Sequence, residues 1–79
     1  MSSNRSETVG VFATALEMEE RGIKFYASIA KKIQDKELKR FLMSLSDWEK
    51  KHFKLIKEHQ DAIYDAWYWE AMDMPALNM

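Results

Sequence analysis

With 79 residues, no cysteine and a formal net charge of −1, the chain is at most one small domain, without disulfides, thiolate-bound metal or iron–sulfur chemistry. The near balance of 12 basic and 13 acidic residues argues against a nucleic-acid partner. No run approaches the roughly 18–20 apolar residues of a membrane span, and Met1 to Thr8 lacks an apolar signal region. The expectation is a soluble cytoplasmic protein. At this size a lone hydrophobic core supplies only about 3–5 kcal/mol, so a metal or a second chain is expected to complete the fold.

Residues 1–7 are expected to be disordered, with Ser6 or Thr8 capping a first helix from about Thr8 to Ile33. Its 4-3 apolar seam runs Phe12, Leu16, Glu19, Ile23, Tyr26, Ala30, Ile33. Beside the seam, Ala15, Gly22 and Ile29 recur every seven residues, and the small Gly22 suits a close helix approach. Extending this register past Ile33 would put Glu37, Arg40, Ser44 and Asp47 in the seam, whereas the apolar pattern restarts at Leu38. A break near Gln34 to Lys36 explains the shift, with Asp35 capping a second helix. An antiparallel hairpin follows.

The second seam reads Leu38, Leu42, Leu45, Glu49, His52, Ile56, His59, Ile63, flanked by a packing stripe of Phe41, Trp48, Leu55 and Ala62. The helix is expected to continue to about Met72 and stop before Pro75. Tyr64, Trp67, Tyr68, Trp69 and Met72 carry more apolar surface than two helices hide, which predicts packing against another subunit or a shell protein. Basic residues concentrate between Arg21 and Lys57, and the segment after Lys57 is acidic, as expected of solvated faces that help chains dock. Residues 8–74 thus form the hairpin with its C-terminal extension, and residues 75–79 a loose tail.

Three polar residues interrupt the seams. A core-facing Glu19, Glu49 and His52 would each be costly unless compensated. Glu49-Lys50-Lys51-His52 places a carboxylate and an imidazole on one helix face. With the turn at Asp35, Glu19 lies sixteen residues before it, and Glu49 and His52 fourteen and seventeen after it. At about 1.5 Å per residue these are heights of roughly 24, 21 and 26 Å, one level of the hairpin. A metal ion is the expected compensation; a hydrogen-bonded polar layer setting helix register is the alternative.

One chain offers half of a di-metal carboxylate set, in which two helices each give a Glu and two each give a Glu-x-x-His. Two copies of the hairpin complete it, predicting an all-α four-helix bundle formed by dimerisation. Its oxygen-rich ligands suit iron, with manganese or zinc as substitutes. His59, about 10 Å along the axis from His52, is expected to be a core or interface histidine. Tyr26, as far from Glu19, is by spacing either a core tyrosine or one whose phenol reaches a ligand. Glu17, Glu20 and Asp47 are off the seam and expected to be solvated.

Glu19 and Tyr26 followed by Glu49-x-x-His52, within Ala15-Leu16-Glu17-Met18-Glu19-Glu20 and Asp47-Trp48-Glu49-Lys50-Lys51-His52, resemble the ligand pattern of the ferritin-like superfamily. The chain is most similar to rubrerythrins and, in having a single hairpin, to encapsulated ferritins. The resemblance covers roughly Phe12 to His59. It implies that Glu19, Glu49 and His52 ligate a di-iron centre between two subunits and that Tyr26 lies beside it. It further implies Fe(II) oxidation by oxygen, an annular higher oligomer, and residence in an encapsulin nanocompartment. The cysteine pairs that bind the electron-donating iron of full rubrerythrins are absent, so peroxide reduction, the alternative activity, would need an external donor. A non-enzymatic helical hairpin is the third reading.

Overall fold

In the computed structural model, which describes residues 4–72, two helices pack antiparallel into a rod 61 Å long and 24 by 18 Å across. Helix α1 spans Arg5–Lys32 and α2 spans Lys36–Met72, so the all-α hairpin read from the change of register is the observed fold. Residues 1–3, 73 and 74 and the tail lie outside the described residues. Among the described residues no helix is long and apolar enough to cross a membrane.

Helix α1 starts three residues earlier than expected, and neither Ser6 nor Thr8 is its cap. Asn4 accepts a hydrogen bond from the Glu7 backbone N–H at 2.8 Å through its side-chain oxygen, and its amide donates to the Glu7 carboxylate at 3.0 Å. This reciprocal Asn-x-x-Glu arrangement satisfies an orphan amide and sets a negative charge against the positive end of the helix. Lys31 and Lys32 provide the complementary charges at the other end. Asp35 caps α2 as expected, accepting from the Leu38 N–H at 3.0 Å, so only Ile33–Asp35 form the turn.

All seven α1 seam residues turn inward, Ala30 completely. On α2, Leu42, Leu45, Glu49, His52, Ile56 and Ile63 are also at least half covered, but the expected seam fails at Leu38 and His59. Leu38, in the first turn of α2, is 45% exposed. His59 is exposed and its neighbour Gln60 is buried. A straight helix has 3.6 residues per turn, so a 3.5-residue stripe drifts by about 20° per heptad. After Ile56 the covered face therefore steps four residues to Gln60, passing over His59, and continues through Ile63, Tyr64 and Trp67.

Ser46 is fully buried and donates its hydroxyl to the Ile23 backbone carbonyl at 3.1 Å, a cross-link that fixes helix register where the serine side chain is short enough for close approach. Gln60 is satisfied by Lys57, which donates to its carbonyl at 3.0 Å. At the open end Arg5 pairs with Glu70 and lies 4.9 Å from the Trp67 ring centroid. That contact ties the first residue of α1 to the last turns of α2, beside half-buried Tyr64 and Trp67; Tyr68, Trp69 and Met72 remain exposed.

A two-helix rod leaves much apolar surface uncovered. Val11, Met18 and Phe25 on α1, and Phe41, Trp48 and Leu55 on α2, are all more than half exposed. Each immediately precedes a seam residue at seven-residue spacing. Because the helices are antiparallel, that position falls on the same side of the hairpin in both, so the two stripes form one face. The α2 stripe, expected to pack, is therefore open in the single chain.

The close approach at Ser46 has a measurable consequence. Ser46→Ala should lose about 1 kcal/mol, the net worth of one hydrogen bond. Ser46→Leu should lose roughly 1–3 kcal/mol or more by overpacking. Urea unfolding followed by helical circular dichroism separates them, and equal losses would mean the helices are not held tightly at this level.

Candidate metal centre

The hairpin brings Glu19, from the middle of α1, against Glu49 and His52, one turn apart on α2. One ligand atom from each lies within 4.8 Å of the others. His52 Nδ1 is 3.8 Å from a Glu19 oxygen and 3.9 Å from a Glu49 oxygen. These spans are too long for hydrogen bonds but fall within the roughly 4.2 Å that one cation with bonds of about 2.1 Å bridges. The coincidence of height along the two helices is thus realised in three dimensions.

The three side chains differ in their surroundings. Glu19 and Glu49 are 21% and 24% exposed, and His52 is 41% exposed. The Trp48 ring packs edge-on against the imidazole, with centroids 5.4 Å apart. Glu19 Oε2 is enclosed and has no hydrogen-bond partner. A buried carboxylate oxygen without a donor is unfavourable, and a cation at this point would satisfy it. Two carboxylates and an imidazole fit a divalent metal chemically. Three donors from one chain leave such an ion short of the six oxygen- or nitrogen-type ligands that a hard cation commonly takes.

Three acidic residues near these in sequence have ordinary partners. Glu17 pairs with Arg21, Glu20 with Lys24 and Asp47 with Lys50 on the helix surface, in agreement with their expected solvation. His59 is exposed and apart from the centre. Tyr26 is half-buried, stacks edge-on with Phe25 at 5.4 Å, and lines a surface cleft together with Arg21, Gly22, Phe25 and Glu49. Its hydroxyl makes no hydrogen bond to the three ligands.

Sequence reasoning treated Gly22 as a packing position and missed its neighbour. A Cβ at residue 22 would lie 3.2 Å from Glu49 Oε2. The signal was available: Gly22 lies thirteen residues before Asp35 and Glu49 fourteen after it, so they share one height. Trp48 was likewise assigned to a flanking stripe, although its ring touches His52 from the open face. Comparison with protein-family models, characterised proteins and solved structures finds no match to this chain.

Crowding of the carboxylates shows in their acidity. The Glu19 carboxyl is raised above its ordinary value of 4.5, first by the hydrogen bond it shares with Glu49 when protonated, then by burial and by the Glu49 charge, with His52 acting in the opposite direction. A raised folded-state pKa means that the metal-free fold gains stability from this group below the unfolded value and loses it as pH rises through the folded one. Metal binding requires the ionised form, so affinity should rise over the same interval with release of a proton. Glu19→Gln should therefore flatten the pH dependence of metal-free stability in the mildly acidic range and raise the melting temperature at neutral pH, while weakening metal binding. Thermal melts across pH, with and without chelator, measure both effects; a variant less stable than the parent at neutral pH would contradict the assignment.

Proposed function

We propose that this hairpin is one half of a di-iron carboxylate protein that oxidises Fe(II) with oxygen, and that two chains join across the apolar face to complete the centre. The single observation that carries the reading is the enclosed, donorless Glu19 oxygen inside a cluster of three possible ligands, with the exposed Met18 and Trp48 next to Glu19 and Glu49 in sequence. Two copies bring four carboxylates and two imidazoles, the ligand set of di-metal sites in four-helix bundles. Four negative charges balance two divalent cations, offsetting the repulsion between the carboxylates.

The resemblance of Glu19, Tyr26 and Glu49-x-x-His52 to the ferritin-like superfamily, and to encapsulated ferritins in particular, supports iron as the substrate metal. At the two-electron level, two Fe(II) become two Fe(III) while dioxygen and two protons become hydrogen peroxide. Glu19, Glu49 and His52 hold and orient the ions and supply compensating charge. Apolar Met18 and Trp48, next to the ligands in sequence, would exclude water once a partner covers them.

The reading predicts about one iron per chain, because two ions are shared by two chains. Glu49→Ala and His52→Ala should each bring Fe(II) oxidation down to the rate in buffer, at least tenfold below the parent. Met18→Lys and Trp48→Lys, which alter no ligand, should lose dimer and iron together, as followed by sedimentation with metal analysis. A monomer that retains tightly bound iron would refute the shared centre, and a melting temperature indifferent to both chelator and iron would favour a purely structural polar layer.

A further inference from the structure

We propose that Gly22 is a positioning residue for the metal ligands: the absent side chain leaves the space in which the Glu49 carboxylate moves, making Glu49 the adjustable ligand and Glu19 the fixed one. This inference rests on the metal reading above.

The two oxygens of Glu49 face different surroundings. Oε1 lies 3.9 Å from the imidazole of His52. Oε2 faces α1 at Gly22, where an added Cβ would meet it at 3.2 Å, with Cγ at 3.4 Å and Cδ at 3.5 Å. The tightest of these is closer than packed carbon and oxygen atoms normally sit, so a side chain at residue 22 would shift the carboxylate by a few tenths of an ångström. The same carboxylate borders an open cleft of about 380 Å³, lined also by Arg21, Phe25 and Tyr26. Glu49 therefore has free volume on the side away from His52. Glu19 has none at Oε2, which is enclosed.

A carboxylate that changes between one-oxygen and two-oxygen coordination must rotate or translate, and only Glu49 is placed to do so. A glycine in a helix interior is otherwise unfavourable. Gly10 supplies an internal comparison. It also lies within α1, but nothing is within 4 Å of a Cβ built there. A requirement for glycine as such would affect both positions; a requirement set by Glu49 affects only residue 22.

The experiment compares the full chain with Gly22→Ala and Gly10→Ala, using Co(II) as an optical probe of the centre. Gly10→Ala should raise the melting temperature and leave Co(II) affinity within twofold and the visible spectrum unchanged. Gly22→Ala should weaken Co(II) binding at least tenfold and shift the ligand-field bands, because Glu49 is shifted from its place. Should Gly22→Ala lose helical structure, the comparison is made with Glu49→Ala, which lacks the contacted atoms. In that background adding Gly22→Ala should change the metal-free melting temperature as Gly10→Ala does. A Gly22→Ala protein matching Gly10→Ala in affinity and spectrum overturns the role of Gly22 while leaving the metal centre standing. So does a Gly22→Ala melting-temperature loss that persists in the Glu49→Ala background. A parent protein that binds neither Co(II) nor Fe(II) removes the metal reading, and this inference with it.

Discussion

The structure depends on two carboxylates being held face to face in the seam between two helices. Glu19 and Glu49 occupy positions that Leu or Ile fills elsewhere in the same seams, and His52 lies beside both. The strain of that arrangement appears at the Glu19 carboxyl, which is held above its ordinary pKa first by its hydrogen bond with Glu49, then by burial and by the Glu49 charge. That is an expensive arrangement for a hairpin with so little else to stabilise it. It becomes favourable once the charges are neutralised, which makes fold and site a single problem in electrostatics.

The thin core follows from the same economy. Among the described residues only Ala30, Ser46 and Gln60 are buried, and two of these are polar. Two helices present only one line of contact to each other, so every other apolar side chain faces outward. Local devices secure the rod: the Asn4–Glu7 cap, the Asp35 cap, the Ser46–Ile23 hydrogen bond and the Arg5 clamp on Trp67 and Glu70. They fix helix ends and register but do not bury much surface. The uncovered stripes run through Val11, Met18 and Phe25 and through Phe41, Trp48 and Leu55, and the Trp48 ring packs on His52. A second copy placed there would supply both the missing core and the missing ligands.

Small residues matter at two levels of the rod for different reasons. Ala30 and Ser46 are small because the helices touch there, and each is wholly buried. At Gly22 it is the Glu49 carboxylate that lies against α1. Seven-residue spacing alone does not distinguish these cases, since both appear as a small side chain beside an apolar seam. Only the identity of the atom across the gap separates packing from ligand placement.

What the chain determined by itself was the periodic part. The phase slip between Ile33 and Leu38 placed the turn, and Asp35 proved to be its cap. Counting residues outward from it put Glu19, Glu49 and His52 at one height, because helical rise is nearly constant. The start of α1 was also legible in Asn4-Arg5-Ser6-Glu7, but polar composition obscured the cap. Tertiary structure alone decided the azimuth of each side chain along a helix of 37 residues. A drift of about 20° per heptad accumulates until Gln60 replaces His59 on the covered face. It also decided that Glu19 Oε2 has no donor and that Glu49 rests on Gly22. Those facts depend on the distance and rotation between two helices, which side chains from both sides set together and which no linear spacing encodes.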